Sequence, residues 1–155
     1  MATLDLQLTS LHEHLEMAVR FDLPVVLHVV QAHGLVLETL RELRSVPAGV
    51  VHAFDGSAEV ARAYQVLGLH LSVGGRVCAP EARRLHRALP AISADRLLLE
   101  TDAPDQLPPG VDADFNEPSF LPGIAQRVAE LRREPIERVI GSTASNARRL
   151  FRLPT

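Results

Sequence analysis

Pro24-Val25-Val26-Leu27-His28 begins on a helix breaker, continues through three branched or aliphatic residues and ends on an imidazole. The pattern returns in Gly49-Val50-Val51-His52 and in Leu97-Leu98-Leu99-Glu100-Thr101-Asp102. Unbroken aliphatic runs of this length are what a parallel sheet buried on both faces requires, and a polar residue among them has to be satisfied by something. Here the polar residues stand at the carboxyl ends of the runs. In α/β barrels those ends share one rim, where side chains from different strands meet. His28, His52 and Asp102, three side chains able to bind a metal ion, are therefore expected to converge.

The sequence between the runs has helical periodicity. Leu8, Leu11, Leu15 and Val19 predict an amphipathic helix over residues 5–21, and residues 35–43 carry a second. Ser57, with Glu59 close behind, opens a third that runs to residue 67 and stops at Gly68. A strand over 69–73, a turn at Gly74-Gly75, a helix over 80–89 and a strand over 96–101 follow. The Pro/Gly/Asp-rich stretch 103–118 reads as a long loop, a length usually tied to function, and 120–132, 135–140 and 144–151 read as helices. Strand starts fall roughly 20 to 27 residues apart, the pace of βα units with right-handed crossovers. The expected fold class is α/β, a partial TIM-type (β/α) barrel of about four parallel strands with flanking helices, where a closed barrel needs eight.

Composition excludes several alternatives. The 155 residues and 46% hydrophobic content suit a globular domain with its own core. No apolar run approaches the roughly 20 residues of a spanning helix, and the first residues lack a signal-peptide pattern, so no membrane role is expected. The lone Cys78 has no internal disulfide partner and reads as a small packing residue, which makes a cytoplasmic location the expectation. All 16 basic residues are arginine and the net charge is −3, leaving no broad electropositive footprint for nucleic acid. Any phosphate contact has to be local.

In order and spacing, Leu23-Pro-Val-Val-Leu-His28, Gly49-Val-Val-His-Ala-Phe-Asp-Gly-Ser57, Leu97-Leu-Leu-Glu-Thr-Asp-Ala-Pro-Asp105, Asn116-Glu-Pro118 and Asn146-Ala-Arg-Arg-Leu-Phe151 resemble successive landmarks of the TatD family. That resemblance extends over nearly the whole chain. It implies a metal-dependent hydrolase or deoxyribonuclease of the amidohydrolase-like barrel superfamily, with DNA or another phosphoester as substrate and 3′–5′ exonuclease-like action. It also implies that residues 1–155 are a single TatD-like domain corresponding to the carboxyl-terminal half of the barrel, with Met1 where the fifth βα unit begins. The Asp-x-His-x-His motif on the family's first strand and its metal-bridging glutamate have no counterpart in the sequence. Carried over residue by residue, His28 and His52 match the two histidines of one metal. Asp102 matches the aspartate associated with the other metal and the attacking water, and is the expected catalytic residue. Complete family members hold two divalent ions; here at most one is expected, with zinc, magnesium, manganese and nickel indistinguishable. Self-association or a complementary amino-terminal half is the expected partner. The alternative is a non-catalytic remnant that binds a metal or a protein.

Other residues are weighed against these. His12 and His14 lie two apart in a predicted helix, about 200° apart around its axis, and read as solvated. Asp102 has a second reading as the cap of the Asp-Ala-Pro-Asp turn, with Glu100 then the inward carboxylate; the preferred reading makes Asp102 the ligand and Glu100 its support. The family's Arg two residues beyond the first strand-end histidine has no equivalent at Val29 or Val30, and Asp55 stands where the family commonly has Ser. Asp55 reads as holding the turn before Gly56, or as an acceptor for His52. His33 reads as a loop histidine, and His70 and His86 have no comparable placement. Arg83-Arg84, Arg132-Arg133 and Arg148-Arg149 read as solvated helix faces, and no substrate-binding residue is identified.

Overall fold

The apolar runs pair in chain order. In the computed structural model, which describes residues 3–154, they form one sheet of four parallel strands, β1 (Val25–His28), β2 (Gly49–His52), β3 (His70–Val73) and β4 (Leu97–Leu99), in the order β1-β2-β3-β4. Six α-helices accompany them: α1 (Leu4–Phe21), α2 (His33–Glu42), α3 (Ala58–Val66), α4 (Arg83–Ala88), α5 (Leu121–Arg132) and α6 (Ile136–Phe151). Thr3 and Ser57 cap α1 and α3 by accepting from Leu6 and Val60 backbone N–H groups, which sets where those helices begin. Gly68, at φ +85°, turns the chain from α3 into β3, a conformation that favours glycine. No helix among the described residues is long and apolar enough to cross a membrane.

Four boundaries differ from expectation. The helix expected over 80–89 is shortened to α4 and followed by a 3₁₀ turn, Leu89–Ala91, because Pro90 has no N–H to extend the α ladder. The Gly74-Gly75 turn is instead the entry to a 3₁₀ turn, Gly75–Cys78. A Cβ on Gly75 would meet the Gln106 carbonyl at 2.8 Å, so the long loop lies directly over this position. The strand expected over 96–101 pairs only at 97–99, since beyond it Glu100 turns its side chain to β2. The helices expected over 135–140 and 144–151 are one helix, α6. At its middle Ser142 and Thr143 satisfy their hydroxyls on the Val139 carbonyl at 3.1 and 2.8 Å, within the helix.

Register and two-residue alternation sort the strands into faces. On one face Leu27, Val51, Leu71, Val73 and Leu97 pack with Leu15, Leu40, Tyr64, Leu85 and Ile124 into the main core. The opposite face carries His28 beside His52 and Val26 beside Val50, continued by His70, Ser72 and Leu98. At its amino-terminal end, Leu150 and Ala147 of α6 pack on Val50 and Leu98. Burying a side chain such as Leu150 contributes about 1.5–3 kcal/mol. Asn146 donates to the Ala94 and Leu97 carbonyls at 2.8 Å, and Arg152 meets Asp22 at 2.6 Å, so the end of α6 reaches from β4 to the approach of β1. The apolar part of this face is thus covered at β2 and β4, while Val26 on β1 remains 59% exposed.

Candidate metal centre

β1 and β2 align so that His28 and His52 are register partners at the carboxyl ends of their strands, with ring centroids 5.5 Å apart. Two imidazoles on one ion, with metal–nitrogen bonds of about 2.1 Å, have centroids about 5–5.5 Å apart. Alternation places both rings on the face opposite the main core, at the rim where the strands end. His28 is exposed and His52 half-buried.

His52 is held from both sides. Its Nδ1 is 2.9 Å from Glu100 Oε2, and its Nε2 is 3.2 Å from Asp102 Oδ1. Glu100 uses its other oxygen, Oε1, to accept the Ala53 N–H at 2.7 Å. A carboxylate only accepts, so Nδ1 carries a proton towards Glu100, and in the neutral ring Nε2 is then a lone pair. That lone pair faces a carboxylate oxygen. Two acceptors this close repel unless positive charge stands between them, either a second ring proton or a metal ion. The 3.2 Å spacing suits two atoms bound to one ion at about 2.0–2.2 Å. A histidine whose far nitrogen is fixed by a carboxylate is also the arrangement by which proteins orient metal ligands. Among the described residues no group of three or more His, Cys, Asp and Glu side chains is already drawn together as a complete ligand set. His52 and Asp102 form the close pair, and His28 stands one ring away.

The loop fixes Asp102. Its backbone is left-handed, φ +64°, a conformation costing about 1–3 kcal/mol for a non-glycine residue and tolerated best by Asp and Asn. Ala53, directly after His52, is also left-handed at φ +47°. Gln106 donates to Asp102 Oδ2, leaving Oδ1 to His52. Asn116, 2% exposed, ties the loop together: its amide donates to the carbonyls of Thr101, Asp105 at 2.7 Å and Gln106 at 3.2 Å. The backbone N–H of Asp105 also returns to the Asp102 carbonyl at 2.9 Å, so Asp102 makes a turn and reaches His52 with the same residue.

Of these residues His28, His52, Ala53 and Gln106 border a cleft of about 470 Å³ at the strand ends. Several of its walls were not legible as such. Among the described residues no hydrogen bond joins Asp55 to His52; its carboxylate pairs with Arg76 at 3.4 Å. His33 is not in a loop but begins α2, where its Nδ1 lies 3.1 Å from the Tyr64 hydroxyl and burial lowers its pKa, with Arg84 adding to the effect. Arg84, read as a solvated helix residue, borders the cleft. Elsewhere, His12 and His14 sit on α1 as expected, and His14 donates to the Ser10 carbonyl at 2.7 Å. His86 donates to the Val77 carbonyl at 2.9 Å, and burial pushes the Cys78 thiol above its usual pKa, away from nucleophilic chemistry.

Comparison with known proteins gives the family. A family model described as TatD related DNase matches residues 2–152. The chain is 43% identical over 156 residues to the 3′-5′ ssDNA/RNA exonuclease TatD of Erwinia billingiae, covering 96% of this chain and 59% of that protein. It is 35% identical over 150 residues to the uncharacterized metal-dependent hydrolase YabD of Bacillus subtilis, again covering 96% of this chain and 59% of the relative. The crystal structure of the TatD homologue YjjV from Escherichia coli superposes with a TM-score of 0.84 at 33% identity, covering 92% of this chain and 55% of that one. The chain therefore spans somewhat more than half the length of the relatives it matches. Its sequence and its four-stranded parallel fold place it in the TatD-related DNase family of metal-dependent hydrolases.

Proposed function

We propose that this chain carries one half of a metal-dependent phosphodiesterase site whose substrate is the end of a DNA or RNA strand. The observation that supports this most directly is the grip on His52: Glu100 fixes Nδ1, and Nε2 is left facing Asp102 Oδ1 at 3.2 Å, a gap that calls for a cation. The relative named as a 3′-5′ ssDNA/RNA exonuclease supports the choice of substrate.

In this reading His28 and His52 hold a single divalent ion, and Asp102 reaches the same ion or its neighbour. When bound, such an ion neutralises charge developing on the phosphoryl oxygens and makes water nucleophilic near neutral pH. Asp102 Oδ1 accepts the proton of the attacking water, with Gln106 steadying Oδ2. Glu100 holds the imidazole of His52 in one tautomer, and Asn116 keeps the loop from drifting off the rim. Residues 1–155 act as one TatD-like unit, and the strands that would close the barrel come from a complementary amino-terminal half or from a second copy. Among the described residues no strand pairs with the outer edge of β1 or of β4, although on β4 the Leu97 carbonyl is taken by Asn146.

Two measurements test the proposal. Calorimetric titration with zinc and with manganese is expected to show weak one-site binding that His28→Ala or His52→Ala abolishes; unchanged binding in both variants overturns the assignment. A metal-supplemented exonuclease assay compares the chain alone, Asp102→Asn, and the chain co-expressed with a complementary amino-terminal half. Slow cleavage by the chain alone, a large gain with the added half and loss in Asp102→Asn are expected. No cleavage by the complemented form with any divalent ion refutes the hydrolase reading.

A further inference from the structure

The cleft has bordering residues that the metal chemistry does not use. His33, Arg76 and Arg84 border it together with His28 and His52. Tyr64 is fully buried, and among the described residues its hydroxyl has one partner, His33 Nδ1 at 3.1 Å. A buried hydroxyl hydrogen needs an acceptor, and burial keeps this phenol protonated by raising its pKa, so Tyr64 donates and Nδ1 accepts. The ring proton of His33 is then on Nε2. That N–H has no protein acceptor among the described residues and belongs to a ring packed between Phe54, tilted at 53°, and Tyr64, edge-on at 73°, with centroids 5.7 Å from each. Burial and the neighbouring guanidinium of Arg84 both hold the imidazole neutral at pH 7.

The two arginines are similarly unspent. Arg84 has no carboxylate within ion-pair distance among the described residues. Arg76 is half-exposed and shared loosely between Asp55 at 3.4 Å and Glu81 at 3.9 Å. A guanidinium without an anion beside a preset neutral N–H donor suits a phosphate oxygen, which guanidinium binds through paired N–H groups. About 470 Å³ lies within the range of pockets that hold a single small ligand.

We propose that His33 and Arg84, with Arg76 at the mouth, form a phosphate subsite that holds the nucleic-acid strand one linkage away from the bond reached by His28, His52 and Asp102. This rests on the nucleic-acid reading above, but the subsite binds without a metal ion and is tested without one. The probes are end-labelled hexathymidylate and hexauridylate, whose anisotropy with the full chain is followed in EDTA from about 50 to about 200 mM salt. Binding is expected to weaken with salt. Arg84→Gln should weaken it about tenfold, the effect of one charge-assisted contact, and reduce the slope of log K against log salt by about 0.7. His33→Phe made together with Tyr64→Phe, so that no buried hydroxyl is left without its acceptor, keeps the ring packing and removes a neutral donor, so it should weaken binding severalfold relative to Tyr64→Phe alone without changing that slope. Asp55→Asn, which releases Arg76, should strengthen binding.

An Arg84→Gln variant with wild-type affinity and slope overturns the subsite, as does a wild type with no salt-dependent binding at millimolar oligonucleotide. If the subsite holds but neither zinc nor manganese binds in calorimetry, the hydrolase reading fails and the phosphate subsite stands. Equal effects on both oligonucleotides assign the contact to the phosphate; an effect confined to one assigns it to the sugar or base and refutes the proposal.

Discussion

Replacing Glu100 by Gln isolates what its carboxylate does for His52. In the wild type, Glu100 accepts from His52 Nδ1 at 2.9 Å and from Ala53 N–H at 2.7 Å, and its side chain is 18% exposed. Gln has one carbonyl oxygen and one amide nitrogen, so it cannot accept both bonds. If its oxygen stays with the fixed Ala53 N–H, its NH₂ faces His52 Nδ1, and the ring relieves the clash by moving its proton to Nε2. Nε2–H then donates to Asp102 Oδ1 across the existing 3.2 Å gap. Exchanging charge-assisted for neutral bonds at Gln costs about 1 kcal/mol each, and the new bond to the Asp102 carboxylate returns about 1.5–3 kcal/mol. Without metal, the variant should therefore unfold within about 1 kcal/mol of the wild type. The lone pair offered to an ion is gone, however, and loss of a carboxylate behind a ligating histidine costs about 10–100-fold in metal affinity. Calorimetric titration with zinc and manganese measures the affinity, urea denaturation the stability, and ¹⁵N shifts of the His52 ring report its tautomer. A variant that binds metal as tightly as the wild type, or keeps the Nδ1–H tautomer, refutes the reasoning.

Three further outcomes follow from the same geometry. Asn116→Ala removes a buried amide that serves the Thr101, Asp105 and Gln106 carbonyls, so it should cost about 1–3 kcal/mol and raise hydrogen exchange in the loop around Asp102 more than in β1 or β2; uniform exchange changes would count against a loop-specific staple. Burial lowers the pKa of both His33 and His70 from 6.5, so the unfolded chain binds more protons than the folded one below that pH; urea midpoints should be highest above about pH 6.5 and fall as pH drops through the folded pKa values, and His70→Leu should soften the fall. Sedimentation should show association or an unstable monomer, because Val26 is exposed and no strand among the described residues pairs with the outer edge of β1; a dilute, monodisperse and cooperatively unfolding monomer would show that α6 covers enough of the second face on its own.

What was legible in the sequence follows the range over which each signal acts. β1 and β2 are continuous aliphatic runs ending on His28 and His52, and parallel pairing brings such ends together without further information. Ser57 and Gly68 mark the bounds of α3 by local backbone chemistry. The continuity of α6 was hidden because Gly141, Ser142 and Thr143 are weak helix formers; contacts distant in sequence, Leu150 on Val50 and Asn146 on the Leu97 carbonyl, hold the helix across them. Arg84 was misplaced for a related reason. It sits next to Leu85 on α4, and in one dimension a solvated helix face and the wall of a cleft have the same pattern. Asp102 was singled out at a strand end, but its approach to His52 depends on a left-handed backbone and on Asn116, 14 residues further on, neither of which a strand-end pattern encodes.

The opposite charges around the cleft explain each other electrostatically. Glu100 and Asp102 both contact His52, which borders the cleft, while Arg76 and Arg84 border it too and Asp55 is turned onto Arg76. A phosphodiester drawn in by the arginines alone would carry its negative charge towards two carboxylates, and a cation held by His52 and Asp102 alone would face two guanidinium groups. Each ligand lowers the cost of the other: the anion offsets the guanidinium charge felt by the ion, and the ion offsets the carboxylate charge felt by the anion. Because such coupling is reciprocal in free energy, the factor by which a divalent ion tightens oligonucleotide binding equals the factor by which the oligonucleotide tightens the ion. On the proposed reading, weak binding of either ligand alone is the expected result, and each should bind more tightly in titrations where the other is present.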